Sequence, residues 1–379
     1  RELSYDDLPS KSWINEKLVF THGNGITMGP VSRVTKDGLP EFIVKDIPPV
    51  SNADIKVTVP EIYFGELTDD YAIANTRIPE FSYPTSEGNT YASYKGKGGV
   101  PLDSVFKRML FASSFKAPKI LLSSDIKKES RILYNRNIMS RVARIAPFLA
   151  FDKDPYIVVS GEGKLYWIID AYTMSKNLPY SKRLTNGVNY MRNSVKITID
   201  AYDGSVNFYQ SDPDDAIIRV FGAIFPGLLK PMAEMPPDLK KHIRYPRELF
   251  AIQTALYATY HMTDPKTFYN KEDLWEIPSY SKTPMVPYYL IMKLPEEKKE
   301  EYVLFMPYTP AKRDNLAAWF AARCDVPNYG QLIAYTFPRD RLVYGPRQID
   351  ARIDQDSYIS QQITLWGQRG SQVIRGSLL

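Results

Sequence analysis

Two groups of cations and two of carboxylates are the first places where residue type and spacing in this chain could do chemistry. Lys95-Gly96-Lys97-Gly98-Gly99 joins freely turning amides to two ammonium groups, a combination that could cradle a phosphate or sulfate. It lacks the Gly-x-x-x-x-Gly-Lys-Ser/Thr order of a P-loop, and the residues after it do not read as a strand-loop-helix nucleotide unit. Lys240, Lys241, His242, Arg244 and Arg247 form the densest basic patch. Such a patch suits anionic lipid headgroups, with each cation worth about 1 kcal/mol near the surface; a solvated face is the plainer reading. Asp212, Asp214 and Asp215 offer hard oxygen ligands and are the calcium candidates. Helix capping explains them without an ion, with Asp212 as the cap, Pro213 at N1 and Asp215 closing a box. Asp350, Asp354 and Asp356 form a second acidic set without the spacing of a calcium loop.

Catalytic constellations are harder to assemble. The three histidines, His22, His242 and His261, share no ligand spacing, so each reads first as a hydrogen-bonded turn or helix residue. Cys324 is the sole cysteine, which excludes an intrachain disulfide and a zinc-thiolate cluster. It follows a helix expected to end at Arg323, the wrong end of the dipole for activating a thiol. No Gly-x-Ser-x-Gly elbow is present. Asp170 and Asp200, on neighbouring strands, are the neatest carboxylate pair for glycoside hydrolysis, which needs a separation of about 5 Å or about 6.5–9.5 Å. A structural role at strand ends is the default for both. The 27 tyrosines could line a groove for an extended or glycan-like ligand, or fill a tyrosine-rich core.

These side chains must be positioned by a folded body of 379 residues. It is 44% hydrophobic and 24% charged, which is the composition of a globular chain rather than a disordered one. A net charge of +5, from 48 basic and 43 acidic residues, is too dilute for a nucleic-acid-binding stripe. No run approaches the roughly 18 apolar residues of a spanning helix, because Arg219 interrupts Ala216–Leu229 and Pro226 ends it. Scarce cysteine fits an oxidising, extracytoplasmic setting, and the opening Arg1-Glu2-Leu3 does not read as a signal peptide. The body is therefore expected to be soluble.

Along the chain, Leu102, Val105, Phe106, Met109 and Leu110 recur at helical spacing and predict an amphipathic helix over 101–115. A further helix is expected over Glu129–Arg144. Strands are expected over 156–170, turning at Gly161-Glu162-Gly163, and over 195–209, turning at Asp203-Gly204. Ile169-Asp170-Ala171-Tyr172 and Ile199-Asp200-Ala201-Tyr202 repeat 30 residues apart, which could mark equivalent sheet positions. Helices are expected over 213–225, 246–262 and 310–323, the last from Leu316, Trp319 and Phe320. Met285–Leu294 and Tyr302–Met306 read as partner strands around the charged run Glu296–Glu301; Leu332–Phe337 reads as a strand and Asp354–Trp366 as a helix. The interspersed order gives an α+β class with largely antiparallel sheet. It divides into a mixed segment 1–150 and an α+β core 151–379, or forms one integrated domain.

Several phrases occur in order across the chain: Ser12-Trp13, Thr21-His22-Gly23, Asn189-Tyr190-Met191-Arg192-Asn193-Ser194-Val195-Lys196, Asp200-Ala201-Tyr202-Asp203-Gly204, Arg244-Tyr245-Pro246-Arg247-Glu248-Leu249-Phe250, Tyr260-His261-Met262, Asn328-Tyr329-Gly330 and Tyr344-Gly345-Pro346-Arg347-Gln348-Ile349. Together they resemble the UPF0182 family of uncharacterised integral membrane proteins. The resemblance implies a bundle of transmembrane helices followed by a large extracytoplasmic portion at the cell membrane. This chain looks like that portion without its own transmembrane segment, and the family pattern continues past Val373–Leu379. It carries over no catalytic residue and no cofactor. The expected role is binding or scaffolding at the cell envelope, with anionic lipid, a glycan or an envelope protein as partner and no nucleic acid. The alternatives are an envelope hydrolase or transferase acting on a lipid-linked or glycan-like substrate, which needs converging titratable groups in a pocket, and a solute-receptor module with an aromatic-lined pocket.

Overall fold

The computed structural model describes residues 10–368, apart from 31–32, 34, 37–38, 281–282, 296 and 339. The chain start at Arg1-Glu2-Leu3, Glu296 in the charged run and the expected strand Val373–Leu379 lie outside the described residues. The fold is mixed α+β with largely antiparallel sheets, in two compact units that divide between His242 and Ile243. The chain does not separate near residue 150. Ala150–Phe151 is itself a strand paired with Tyr172 and Ala171, so a cut there would sever a sheet.

In the first unit, β1 (Ala72–Ala74) pairs with β4 (Arg131–Leu133), and β2 (Glu80–Thr85) forms a hairpin with β3 (Gly88–Ala92). Helix α1 (Val105–Ser114) begins at Ser104, whose hydroxyl accepts the Lys107 amide. The helix expected over 101–115 is present, but of its apolar stripe only Leu102, ahead of the first turn, is buried. Val105, Phe106, Met109 and Leu110 are 68%, 73%, 54% and 55% exposed, and the helix packs through half-buried Phe111 and Ala112. Residues 129–144 are not one helix: β4 takes the first part, and α2 (Ile138–Ile145) starts only where Asn137 caps it.

The main sheet runs in the order β5 (Ala150–Phe151), β7 (Leu165–Ser175), β8 (Tyr190–Asp200), β9 (Val206–Gln210), β10 (Leu229–Pro231), with β6 (Tyr156–Val159) also pairing β7. All pairings are antiparallel except β9 with β10. On one face Trp167, Ile169, Val195, Ile197 and Ile199 meet Ile138 and Val142 of α2 and Ile218 of α3 (Ala216–Ile224). The opposite face is buried too, and it is polar: Lys196 is ion-paired with Asp170, and Tyr172 donates to Asp152. The repeated Ile-Asp-Ala-Tyr phrases are not equivalent positions, because Ile169 pairs with Ile197 in the same antiparallel ladder. The β8–β9 turn needs Gly204, at φ +74, since a Cβ there would stand 2.6 Å from the Phe64 ring. Helix α4 (Pro237–Lys240) closes the unit.

In the second unit, α5 (Arg247–Tyr260) and α6 (Pro265–Asn270) precede a sheet ordered β11 (Trp275–Glu276), β13 (Glu300–Pro310), β14 (Ala318–Arg323), β15 (Leu332–Thr336), with β12 (Tyr288–Lys293) also on β13. Residues 310–323, expected as a helix, carry the end of β13 and all of β14. The physical reason is burial on both faces. Leu304, Met306, Ala318 and Phe320 pack toward Phe250 and Ala258 of α5, while Val303, Phe305, Trp319 and Ala321 form a separate cluster with Leu290. A strand buried on both sides shows no polar alternation. Helices α7 (Pro346–Gln355) and α8 (Ser357–Trp366) follow, split where Asp356 caps α8, in place of the single helix expected over 354–366.

Candidate functional site

The glycine-rich loop is fixed by its neighbours rather than by a ligand. Arg131 of β4 donates from Nε to the Gly98 carbonyl (2.6 Å) and from Nη2 to the carbonyls of Lys97 (2.6 Å) and Gly99 (3.0 Å). The Lys95 amide donates to Tyr202 Oη at 2.8 Å. Gly98 lies so close to the β8–β9 turn that a Cβ would stand 1.9 Å from the Asp203 carbonyl oxygen. The glycines therefore serve close packing. The exposed side chains of Lys95 and Lys97 make no ion pair with any described residue.

Both lysines line an open cleft of about 820 Å³ in the first unit. Its other walls come from the β2–β3 hairpin, through Tyr83 and Tyr91, and from the hairpin ends of the main sheet, through Lys164, Asp200, Tyr202 and Asp203. Glu61, in a two-residue strand paired with Gly23–Asn24, completes the lining. Lys164 is held by Glu162 at 2.8 Å. Tyr202 is braced from behind: its ring stacks on Tyr94 at 5.1 Å and meets Tyr63 edge-on at 5.2 Å. Tyr63 in turn donates to Glu80 Oε2 (2.8 Å), which also accepts the Thr21 hydroxyl (2.6 Å). The result is an aromatic wall backed by a buried polar network, in which Tyr94 Oη and His22 Nε2 have no hydrogen-bond partner among the described residues.

Two carboxyls in the cleft are held above the usual carboxylate range. Burial raises Asp200 first and the neighbouring Asp203 charge adds to it, against amides of Tyr202 and Asp203 donating to Oδ1 at 2.8 and 3.1 Å. Burial also dominates at Glu61, with Glu80 adding to it and the Glu61 backbone amide opposing. Behind the wall, burial and then Arg136 push the His22 imidazole down to about 3, so it is neutral at ordinary pH.

Of the other residues singled out from sequence only Asp200 joins this cleft, and it does so without Asp170. Asp170 pairs across the ladder with Lys196 and Asp200 with Tyr166. Four residues of strand, about 13 Å, separate the two aspartates, beyond either glycosidase spacing. Lys240 and Lys241 are exposed at the end of α4 in the first unit. Arg244 and Arg247 belong to the second unit, where Arg244 lies 4.4 Å over the Tyr289 ring, so the basic run is not a single site in either. Asp215, not Asp212, caps α3. Its carboxylate accepts from Ser194, Thr173, Tyr190 and the Ile217 amide, while Asp212 pairs with Arg192 at 2.6 Å. Two of the three calcium candidates, Asp212 and Asp215, are thus occupied by internal partners, Asp214 is exposed, and among the described residues no three acids, histidines or cysteines converge as metal ligands. Asp350 and Asp354 lie on α7. Cys324 follows strand β14 rather than a helix, and burial pushes its thiol up to about 11. Tyr83, Tyr91, Tyr202, Arg131 and Glu61 were not legible as site residues; of these only Tyr202 carries a local signal, the turn phrase Asp203-Gly204 that follows it.

The sequence profile of an uncharacterised protein family, UPF0182, matches residues 1–366. The chain belongs to the UPF0182 family. A UPF0182 protein of Geotalea uraniireducens is 69% identical over 379 residues, which is all of this chain and 42% of that protein. A UPF0182 protein of Pelobacter propionicus is likewise 69% identical over 379 residues, with the same coverage. One from Sulfurovum sp. is 53% identical over 390 residues, again covering all of this chain and 42% of the relative. This UPF0182 chain therefore spans less than half the length of the curated relatives it matches. No solved structure matches it. Among the described residues of this UPF0182 chain, no helix is long and apolar enough to cross a membrane.

Proposed function

We propose that this UPF0182 chain is the extracytoplasmic, ligand-binding portion of a longer membrane protein, and that its first unit holds an acidic, hydroxyl-rich glycan in the Lys95–Lys97 cleft. The observation that carries the reading is the pair of unneutralised ammonium groups, set by a pinned loop beside a braced tyrosine wall. Lysines supply the attraction for an acidic polymer, and flat aromatic faces supply contact area for sugar rings at little entropic cost. A volume of about 820 Å³ suits two or three sugar units. Attachment to a larger protein is supported by the exposed row on α1 and by the 42% coverage of relatives, since a contiguous apolar patch is what a partner surface covers.

Titration of the 379-residue chain with polygalacturonate, against uncharged dextran, tests the binding role. Salt-sensitive binding of the acidic polymer alone supports it; equal or absent binding of both contradicts it.

A second reading, a glycan hydrolase, is favoured by one observation: Glu61 and Asp200, both raised, line the same cleft. Release of reducing ends from polygalacturonate, abolished in Glu61→Gln, would replace the binding reading with the enzymatic one.

A further inference from the structure

The second unit contains a separate cavity of about 720 Å³ whose chemistry is not that of the first. At its wall, His261 follows the end of α5 and stacks flat on Trp275, with ring centres 3.6 Å apart and planes 14° from parallel. Its Nδ1 lies 3.1 Å from the Tyr257 carbonyl oxygen. A carbonyl only accepts, so Nδ1 carries a proton, and in that tautomer Nε2 presents a bare lone pair. The His261 side chain is 8% exposed, yet Nε2 has no hydrogen-bond partner. Its nearest charged neighbour, Asp273 Oδ2, is 3.8 Å away and, like it, an acceptor unless the ring is protonated. A buried acceptor left this way is costly unless something donates to it.

The same cavity is lined by Lys271, Arg313 and Arg341, whose side chains make no ion pair with a described residue. Its acids are Glu272, which accepts from Asn270, and Asp273. Three cations, a hydrogen-bond acceptor waiting for a donor, and a stacked aromatic floor specify a ligand that is anionic at one end and hydroxylated at the other. We propose that this cavity is a second binding site, for a small hydroxylated anion of the sugar-phosphate or sugar-acid class. Arg313, Arg341 and Lys271 hold the charged group, and His261 Nε2 accepts a ligand hydroxyl.

The test is calorimetric titration of the 379-residue chain carrying Lys95→Ala and Lys97→Ala, so that the first cleft does not contribute. The probes are glucose 6-phosphate, glucuronate, inorganic phosphate and glucose. The expected result is binding of glucose 6-phosphate or glucuronate, whichever is preferred identifying the charged group, with inorganic phosphate and glucose each at least about tenfold weaker. Arg313→Gln with Arg341→Gln, both on exposed residues, is expected to cost about tenfold or more in affinity with unchanged thermal stability. His261→Phe is expected to weaken the sugar probes while leaving inorganic phosphate unaffected. No binding of either charged sugar at about 10 mM, phosphate binding as tightly as the sugars, or affinity unchanged in the arginine variant would overturn the proposal.

Discussion

Arg131 holds the glycine-rich loop by its backbone, its Nε donating to the Gly98 carbonyl at 2.6 Å while Nη2 takes the carbonyls on either side. One guanidinium thus satisfies three consecutive acceptors and leaves the Lys95 and Lys97 ammonium groups facing the cleft. Arg131→Met keeps the length of the side chain and removes every donor. It should cost about 2 kcal/mol in urea unfolding and weaken binding of polygalacturonate, because the lysines lose their common frame.

Asp215 concentrates four donors on one buried carboxylate at the start of α3. Burial alone would raise its pKa, but the bonds from Ser194, Thr173, Tyr190 and the Ile217 amide outweigh it and the net shift is downward. Asp215→Ala removes the acceptor shared by three hydroxyls, leaving Thr173 and Ser194 only each other, and uncaps the helix, for an expected loss of about 3 kcal/mol. A carboxyl with a lowered folded-state pKa stabilises fully above its unfolded value of about 3.9 and loses that contribution as pH falls through the folded value. Urea midpoints of the chain and of Asp215→Ala should therefore converge below about pH 4 and stay apart at neutral pH.

His22 titrates against folding in a different window. Its folded-state value of about 3 lies below the ordinary 6.5, so between the two the unfolded chain binds a proton that the folded chain refuses. Stability is retained above about pH 6.5 and falls below it by up to roughly 1.4 kcal/mol per pH unit. Glu61, Asp170 and Asp200 are raised carboxyls and act in the opposite direction, gaining stability as pH falls. The measurement is the slope of unfolding free energy from about pH 7 to about pH 5.5. It should be clearly shallower in His22→Gln than in the parent chain, and equal slopes would contradict the buried, neutral imidazole.

The row on α1 separates the stability of this chain from its attachments. Phe106→Glu with Leu110→Lys replaces two exposed side chains and should change stability by no more than about 0.5 kcal/mol. In the full-length protein the same pair should disturb whatever covers this face, read as lower yield of the assembled protein. A large loss of stability in the isolated chain would show instead that the row belongs to its own core.

Sequence pattern was informative where one face of an element met water or where a turn had a chemical signature. Gly161-Glu162-Gly163 and Asp203-Gly204 marked the two turns of the main sheet, and Asp212–Asp215 marked a helix start, though three residues early. Pattern failed where burial was two-sided. Ala318–Arg323 is buried throughout, so Leu316, Trp319 and Phe320 fell at helical spacing by coincidence. On α1 it gave the helix but not its buried side, because Val105, Phe106, Met109 and Leu110 face outward. The loop lysines were legible from composition, but the tyrosine wall was not. Tyr83, Tyr91 and Tyr202 come from two hairpins more than a hundred residues apart at the extremes, and only the folded topology brings them to one cleft.

The most direct measurement is the affinity of the 379-residue chain for polygalacturonate in parallel with Lys95→Ala/Lys97→Ala and, as control, Lys240→Ala/Lys241→Ala. Losing the two cleft ammonium groups should weaken binding by about tenfold or more, with the unfolding midpoint unchanged and the control indistinguishable from the parent. Equal affinity in all three proteins, or a loss in the control matching that in the cleft variant, would contradict the assignment of ligand binding to this cleft.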